Sequence, residues 1–439
     1  MSYFAAIGAR YLALAVQFVL VILVTNTLSP ADAGVYFATF GVVTTLFCLA
    51  GAGVPDGLVR TLGDKIAAGQ KHALRRSCWV SLIFSASITA VMCVAGASIL
   101  VGFGGTLGAD AAFVALAAGW LFVYGLMFIV AQALVALRAP ALGSFFFYSA
   151  INLCILCSSV PYLTLSQRPA LTTLVAITIV AASIACGAGM VALVLQMRKY
   201  APASHDTSSS RSVILLPAFR IGAPIAVSRM LQSMIYWIPV WVAAALLSAA
   251  DGAVIGAAGR LLIAVTAVIA ALRFSVRPTI VAAAAESDWS YIEHIGRRIC
   301  LLTSSFTLVA LVCLWVVGAP VLAILLGPEY GAAWAVLAIL MIGALGEAFG
   351  GPVDEILKMT GAGTVVLFSL MVTVSLQAIL AIALLPFGLN GVATAQALAF
   401  CALYAFQVIY LYRVRGILVM PLLPRHNDAA AIDQETTNL

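Results

Sequence analysis

The sequence predicts an all-α polytopic membrane protein with about twelve transmembrane helices, arranged as two parallel six-helix lobes around a central cavity. Three observations predict it. First, 64% of the 439 residues are hydrophobic and only 9% are charged, against about 45–50% and 25% in an average soluble domain. Mean hydropathy is +1.14. A soluble chain of this size could not hide so much apolar surface, and disordered, collagenous and disulfide-scaffold classes fall with it. Second, apolar stretches recur at the length of roughly 20 residues that a spanning helix needs. Third, the two halves carry matching landmarks at a nearly constant offset.

Taken in order, the spans lie at about 5–28, 34–55, 78–102, 111–137, 142–165, 171–197, 219–247, 252–275, 299–325, 332–357, 363–387 and 391–412. The first could be misread as a signal peptide, because Arg10 precedes an apolar stretch and then Ser29-Pro-Ala-Asp-Ala. Its counterpart in mid-chain argues for a span. The seventh holds Pro224 and Pro239, which should break it and let it bend. Trp79 and Trp334 sit near span ends as interfacial anchors. The three long connections are about 56–77, 198–218 and 276–298.

Of the 22 Lys and Arg, 18 fall at one face, Arg168 falls at the other, and Arg10, Arg229 and Arg260 fall inside spans. The positive-inside rule places the basic face, and with it both termini, in the cytoplasm. The net charge of +6 therefore reads as loop anchoring rather than nucleic-acid binding. The nine cysteines lie in apolar runs, Cys154 and Cys157 included, without a set of metal-ligand partners. No cofactor or metal is expected.

The repeat pairs Ser29-Pro-Ala-Asp-Ala-Gly-Val with Ser248-Ala-Ala-Asp-Gly-Ala-Val, and Leu107-Gly-Ala-Asp with Leu326-Gly-Pro-Glu, both offset by about 219 residues. Arg10 falls on Arg229 at the same offset. Each half holds six spans, so the repeats run parallel. The expected division is an N-terminal lobe over 1–197, a polar linker over 198–218, a C-terminal lobe over 219–412 and a tail over 413–439. Asp32, Asp110, Asp251 and Glu329 fall at outer span starts, where a carboxylate caps a helix and complements its dipole.

Several stretches resemble a known family. Leu326-Gly-Pro-Glu-Tyr-Gly-Ala-Ala-Trp is similar to the opening of the tenth helix in bacterial polysaccharide and O-antigen repeat-unit flippases. Leu28-Ser-Pro-Ala-Asp-Ala-Gly-Val-Tyr resembles their first outer turn, and Ala67-Ala-Gly-Gln-Lys-His-Ala-Leu-Arg-Arg their basic segment before the third helix. Arg277-Pro-Thr with Ser287-Asp-Trp and Arg297-Arg298 resembles the matching segment of the second half. That family belongs to a superfamily of multidrug, oligosaccharidyl-lipid and polysaccharide exporters. The resemblance implies a bacterial inner-membrane location and an undecaprenyl-pyrophosphate-linked oligosaccharide as cargo. Membrane lipids, a polysaccharide polymerase and chain-length proteins are the implied partners.

Carrying a pyrophosphate and a sugar past hydrocarbon needs cations in a wet cavity. Arg suits pyrophosphate because its planar fork donates two parallel hydrogen bonds. An intramembrane Arg costs about 2.5–3.5 kcal/mol on insertion scales, so it faces a cavity or a partner. Arg10 and Arg229 each lie 19 residues before an outer turn, about 28 Å of helix, near the cytoplasmic mouth. There each either captures a headgroup or anchors the interface. Arg260 lies nine residues past Asp251, about 13 Å into the outer half. It is a second cargo ligand or half of an ion pair, for which Glu347 is a candidate partner. Glu347 is the one acid deep in a span, suited to exchanging a proton, binding sodium or holding an Arg. Gln17, Gln132, Gln232, Gln377 and Gln396 fall in spans, where interhelical hydrogen bonding is the commoner role.

Two rival functions remain. A cation-coupled multidrug exporter of the same superfamily favours acids in the first helix or facing lobe, and the first span here has Arg10 and no acid. A membrane enzyme of polysaccharide assembly needs a substantial outer loop, and every outer loop here is short.

Overall fold

The computed structural model describes residues 2–67, 74–107, 110–199 and 212–421. The expected linker core (200–211) and the end of the tail (422–439) lie outside the described residues. So does the side chain of Arg10.

The first half comprises α1 (Ser2–Thr27), α2 (Pro30–Leu46), α3 (Val54–Ala67), α4 (Leu74–Leu107), α5 (Ala111–Ala136), α6 (Pro140–Ser144), α7 (Ile151–Leu165) and α8 (Leu171–Arg198). The second comprises α9 (Ser212–Leu246), α10 (Ala249–Ser275), α11 (Arg277–Ala285), α12 (Trp289–Leu326), α13 (Ala333–Phe349), α14 (Val353–Met359), α15 (Gly363–Ala383) and α16 (Gly388–Arg415). Joining the broken helices α2–α3, α6–α7, α10–α11 and α13–α14 leaves six crossings in each half. Among the described residues, nine helices are long and apolar enough to span a membrane, or ten if the α13–α14 pair, bent by 45°, counts as one. The described part of α1, Tyr11–Thr27, is apolar but shorter. α9 is long enough, but Arg220, Arg229, Gln232 and Ser233 dilute its apolar content. It runs unbroken through Pro217, Pro224 and Pro239, contrary to the expected break.

The repeat is visible in the caps. Ser29 and Ser248 are the N-caps of α2 and α10. Each hydroxyl accepts the backbone N–H three residues on, from Asp32 and Asp251, and donates to that residue's carboxylate at 2.7 and 2.6 Å. The hydroxyl is therefore the cap in both halves, and the acid completes it while facing the positive helix end. At α5 the expected carboxylate cap is present: Asp110 accepts from the N–H of Ala112 at 3.1 Å.

The halves meet along α2 and α3 on one side and α9 and α10 on the other. At the end away from the basic residues a single apolar core runs through both halves, from Leu20, Val24 and Phe37 to Trp237, Leu322 and Val392. At the basic end it divides into two, one around Leu58, Leu134 and Leu193, the other around Ile280, Leu357 and Val419. Backbones touch at both ends. A Cβ on Gly34 would lie 1.6 Å from the Ala249 carbonyl oxygen, and one on Gly57 would lie 1.8 Å from that of Ala218. Such contacts suit helix packing in lipid, where close approach replaces a hydrophobic drive.

The stretch expected as a cytoplasmic loop, 56–77, instead begins with α3. Gly51, Ala52 and Gly53 all take positive φ, at 62°, 53° and 82°. Glycine does so freely, whereas Ala52 bears strain. This kink turns the chain without ending the crossing, and it delivers Asp56 into the interior.

Candidate functional site

Polar side chains collect at three places inside the bundle. The first surrounds Arg260. The guanidinium lies over the rings of Phe40 and Trp237, with Cζ 4.4 and 4.6 Å from their centroids. A small cavity of about 20 Å³ adjoins it, lined by Gln17, Tyr36, Phe40, Tyr124 and Asn152. Only Arg260 comes from the second half; the rest belong to α1, α2, α5 and α7. Gln17 donates to Asn152 Oδ1 at 3.3 Å, which holds two amides at the wall. The buried Tyr124 hydroxyl has no hydrogen-bond partner. Among the described residues no carboxylate pairs with Arg260. Its neighbours are ring faces, which attract a cation without cancelling its charge. The cavity is therefore positive.

The second place joins the halves. Arg229 on α9 grips Asp56 with both arms of its fork, Nη2 to Oδ1 at 2.5 Å and Nη1 to Oδ2 at 3.3 Å. Gln132 on α5 donates to Asp56 Oδ1 at 2.8 Å. Asp56 is 3% exposed and Arg229 31%. The Arg229 guanidinium also sits 4.7 Å above Phe128. A bidentate charge-assisted pair is among the stronger polar contacts available, and this one links α3 to α9.

The third lies within the second half. Arg273 near the end of α10 donates to Glu347 Oε1 at 3.0 Å and to the Glu347 carbonyl at 2.6 Å. The Tyr404 hydroxyl donates to the same Oε1 at 2.9 Å. Asp354 Oδ1 lies 3.7 Å from Arg273, and Lys358 donates to Asp354 at 2.8 Å. Arg277 clasps Glu355 at 2.5 and 2.7 Å. These groups border a cavity of about 230 Å³ together with Gln232 and Gln407.

The expected grouping of Arg10, Arg229 and Arg260 in one cavity is thus only partly realised. Arg260 lines a cavity. Arg229 holds Asp56 instead. Arg10 lies in α1, with its side chain outside the described residues. Two further expectations are corrected. Glu347 pairs with Arg273, not Arg260, because α13 faces the basic end of α10 while Arg260 points across to α2. Arg273 is not a surface anchor: it is 3% exposed. Asp56, Arg273 and Tyr404 were missed by the sequence reading. The available signal for Asp56 was an acid directly after the apolar run Phe47-Cys-Leu-Ala-Gly-Ala-Gly-Val-Pro. Three of the five span amides take the commoner role: Gln17 and Gln132 bond other helices, and Gln377 donates to the Ile235 carbonyl at 2.8 Å.

No family model and no curated protein matches the sequence. Solved structures do. A multidrug resistance MATE family transporter of the MOP superfamily, in its inward-facing conformation, aligns with a TM-score of 0.68 at 17% identity, over 90% of this chain and 92% of that one. This chain has the MATE transporter fold. The outward-facing conformation of a MATE family transporter aligns with a TM-score of 0.63 at 17% identity, over 93% and 94% of the two chains. A MOP superfamily transporter from Pyrococcus furiosus, described as having a binding pocket of reverse polarity that suggests a different function, aligns at 0.66 and 16%, over 93% and 94%.

On the MATE fold the three clusters have distinct places. The Arg260 cavity lies beside the core that both halves share, away from the basic end. The Asp56–Arg229 pair sits where the halves touch toward the basic end. The Glu347 cluster belongs to the second half alone.

Proposed function

We propose that this protein is a transporter that works by alternating access and carries an anionic, polyprenyl-pyrophosphate-linked oligosaccharide from the cytoplasmic to the outer leaflet of a bacterial inner membrane. One observation carries the reading: Arg260 stands in an aromatic cavity with no carboxylate among the described residues to neutralise it. A site built that way favours an anion and repels a cationic drug. Amides and tyrosines on the facing half offer hydrogen bonds to sugar hydroxyls. At about 20 Å³ the cavity has room for little more than a water molecule, so the headgroup enters only once the halves have parted. The resemblance of the outer-turn and basic segments to repeat-unit flippases supports the same cargo.

The test is reconstitution. Vesicles containing the purified protein should move a fluorescent polyprenyl-pyrophosphate saccharide between leaflets faster than protein-free vesicles, and should leave a cationic dye where it is. Dye export without saccharide flipping overturns the proposal in favour of a drug exporter. That second reading has one observation behind it: Glu347, Asp354 and Glu355 line a cavity in which Glu347 Oε2 has no hydrogen-bond partner. In either reading Glu347 is the candidate for coupling transport to a proton or sodium ion, with holding Arg273 as its alternative role.

Opening toward the basic end must separate Asp56 from Arg229. The released guanidinium would then be free to meet a pyrophosphate. Asp56→Asn keeps the shape but removes the charge, and charge-assisted bonds are worth about 1.5–3 kcal/mol. The open form should gain about tenfold or more in population. Cys48, buried just before the kink, can report this as the sole cysteine of an otherwise cysteine-free variant. Its labelling by a membrane-impermeant maleimide from the basic side should rise about tenfold in Asp56→Asn. Unchanged labelling would mean that the pair does not hold this end closed.

A further inference from the structure

Away from the interior, the first half carries a notch at its basic end that none of the transport steps uses. α4 and α8 both pack against α5. Where α4 begins and α8 ends, Arg75, Trp79, Val194, Met197 and Arg198 line a hollow of about 90 Å³. Arg75 and Trp79 are four residues apart, as are Val194 and Arg198, so each pair shares one helix face. Both faces continue away from the basic end as exposed apolar side chains. On α4 the next is Ile83, 63% exposed; on α8 it is Val191, 60% exposed. Each wall therefore runs from a guanidinium to hydrocarbon within about two turns.

On α4, α5 and α8 the charge is one-sided. Between Asp110 and Asp206 the chain has no Asp or Glu, and α4 has none either. Among the described residues, Arg75 and Arg198 make no ion pair or hydrogen bond. Lys199 follows Arg198, and Arg138 lies in the turn after α5, held near α8 by the bond from Gln196 to the Leu137 carbonyl at 3.4 Å. Ordinary interfacial anchoring explains scattered cations. It does not explain two unpaired guanidinium groups facing one hollow, with an indole between them and the apolar region.

We propose that this notch binds the headgroup of an anionic phospholipid, with Arg75 and Arg198 on the phosphate, Trp79 at the glycerol level and the acyl chains along Ile83 and Val191. The occupant has to be negative at one end and apolar at the other. Indole rings settle at that boundary in membranes, and basic pockets between helices on the cytoplasmic side are suited to acidic headgroups. The site lies outside the Arg260 cavity and does not depend on the cargo.

Native mass spectrometry of the full chain in detergent tests it, with equimolar phosphatidylglycerol and phosphatidylcholine as probes. Wild type should retain phosphatidylglycerol preferentially. Arg75→Gln/Arg198→Gln should lose about tenfold of that preference, since each interfacial cation contributes on the order of 1 kcal/mol toward an acidic lipid. Arg220→Gln/Arg413→Gln removes the same charge from the same end and should keep the preference. The single variants Arg75→Gln and Arg198→Gln should each show part of the loss, which guards against misfolding of the double. Trp79→Ala should shorten retention of both lipids and leave the preference in place. Equal loss in the two double variants would reduce the effect to net charge and overturn the site. So would full displacement of the lipid by millimolar inorganic phosphate, which would make the notch a free-phosphate site.

Discussion

Arg260→Ala is expected to cut flipping of a lipid-linked saccharide at least tenfold while leaving a folded, membrane-inserted protein. A bidentate guanidinium gives a pyrophosphate two charge-assisted hydrogen bonds, each worth about 1.5–3 kcal/mol. Even the lower figure is about tenfold in an equilibrium constant. What folding loses is smaller. Arg260 has no carboxylate partner to strand, and its contacts with Phe40 and Trp237 are ring contacts, worth about 0.5–2 kcal/mol each. Arg260→Lys should recover only part of the flux, because the ammonium keeps the charge and loses the planar fork. Vesicle flux and a melting curve measured on the same preparation separate the two effects. Undiminished flux in Arg260→Ala would leave the cargo proposal without its main support.

Arg273→Met should do the reverse and damage the fold first. Arg273 and Glu347 are both buried and bonded to each other, and Arg273 also holds the Glu347 carbonyl. Removing one partner leaves a carboxylate in the interior with only Tyr404 to bond it, at a cost of about 3–5 kcal/mol. That is a large share of a stability that is typically about 5–15 kcal/mol in soluble domains. The double variant Arg273→Met/Glu347→Leu strands no charge and should melt closer to wild type. Glu347→Gln keeps an acceptor for Tyr404 and Arg273, so it should fold. Loss of transport in that variant alone would assign Glu347 to coupling; retained transport would make it structural. A melting temperature for Arg273→Met equal to that of wild type would contradict the buried-pair argument.

The two arginines differ for a reason that only packing supplies. Both lie on α10, 13 residues apart. Arg260 meets the aromatic face of α2 and α9, and Arg273 meets the acids of α13 and α14. In the sequence Arg260 reads as a cargo ligand or half of an ion pair, and Arg273 as a loop anchor. Each assignment followed from distance to the span ends, and that distance does not say which helix stands opposite.

What the sequence determined by itself was everything set by composition and short-range spacing. Apolar length placed the crossings, and the basic residues gathered at one end. The repeat at Ser29 and Ser248 marked two helix starts that do carry the same cap. These features are local because hydrophobic burial and capping act within a few residues of where they are encoded. Tertiary structure decided the ion pairs. Asp56 and Arg229 are 173 residues apart, and Arg273 and Glu347 are 74 apart. Asp56 reaches the interior only because three consecutive residues at 51–53 adopt positive φ and carry the crossing on into α3. In a membrane interior a charge must find a partner or a cavity, but many partners satisfy that rule, and the choice among them is made when the helices pack.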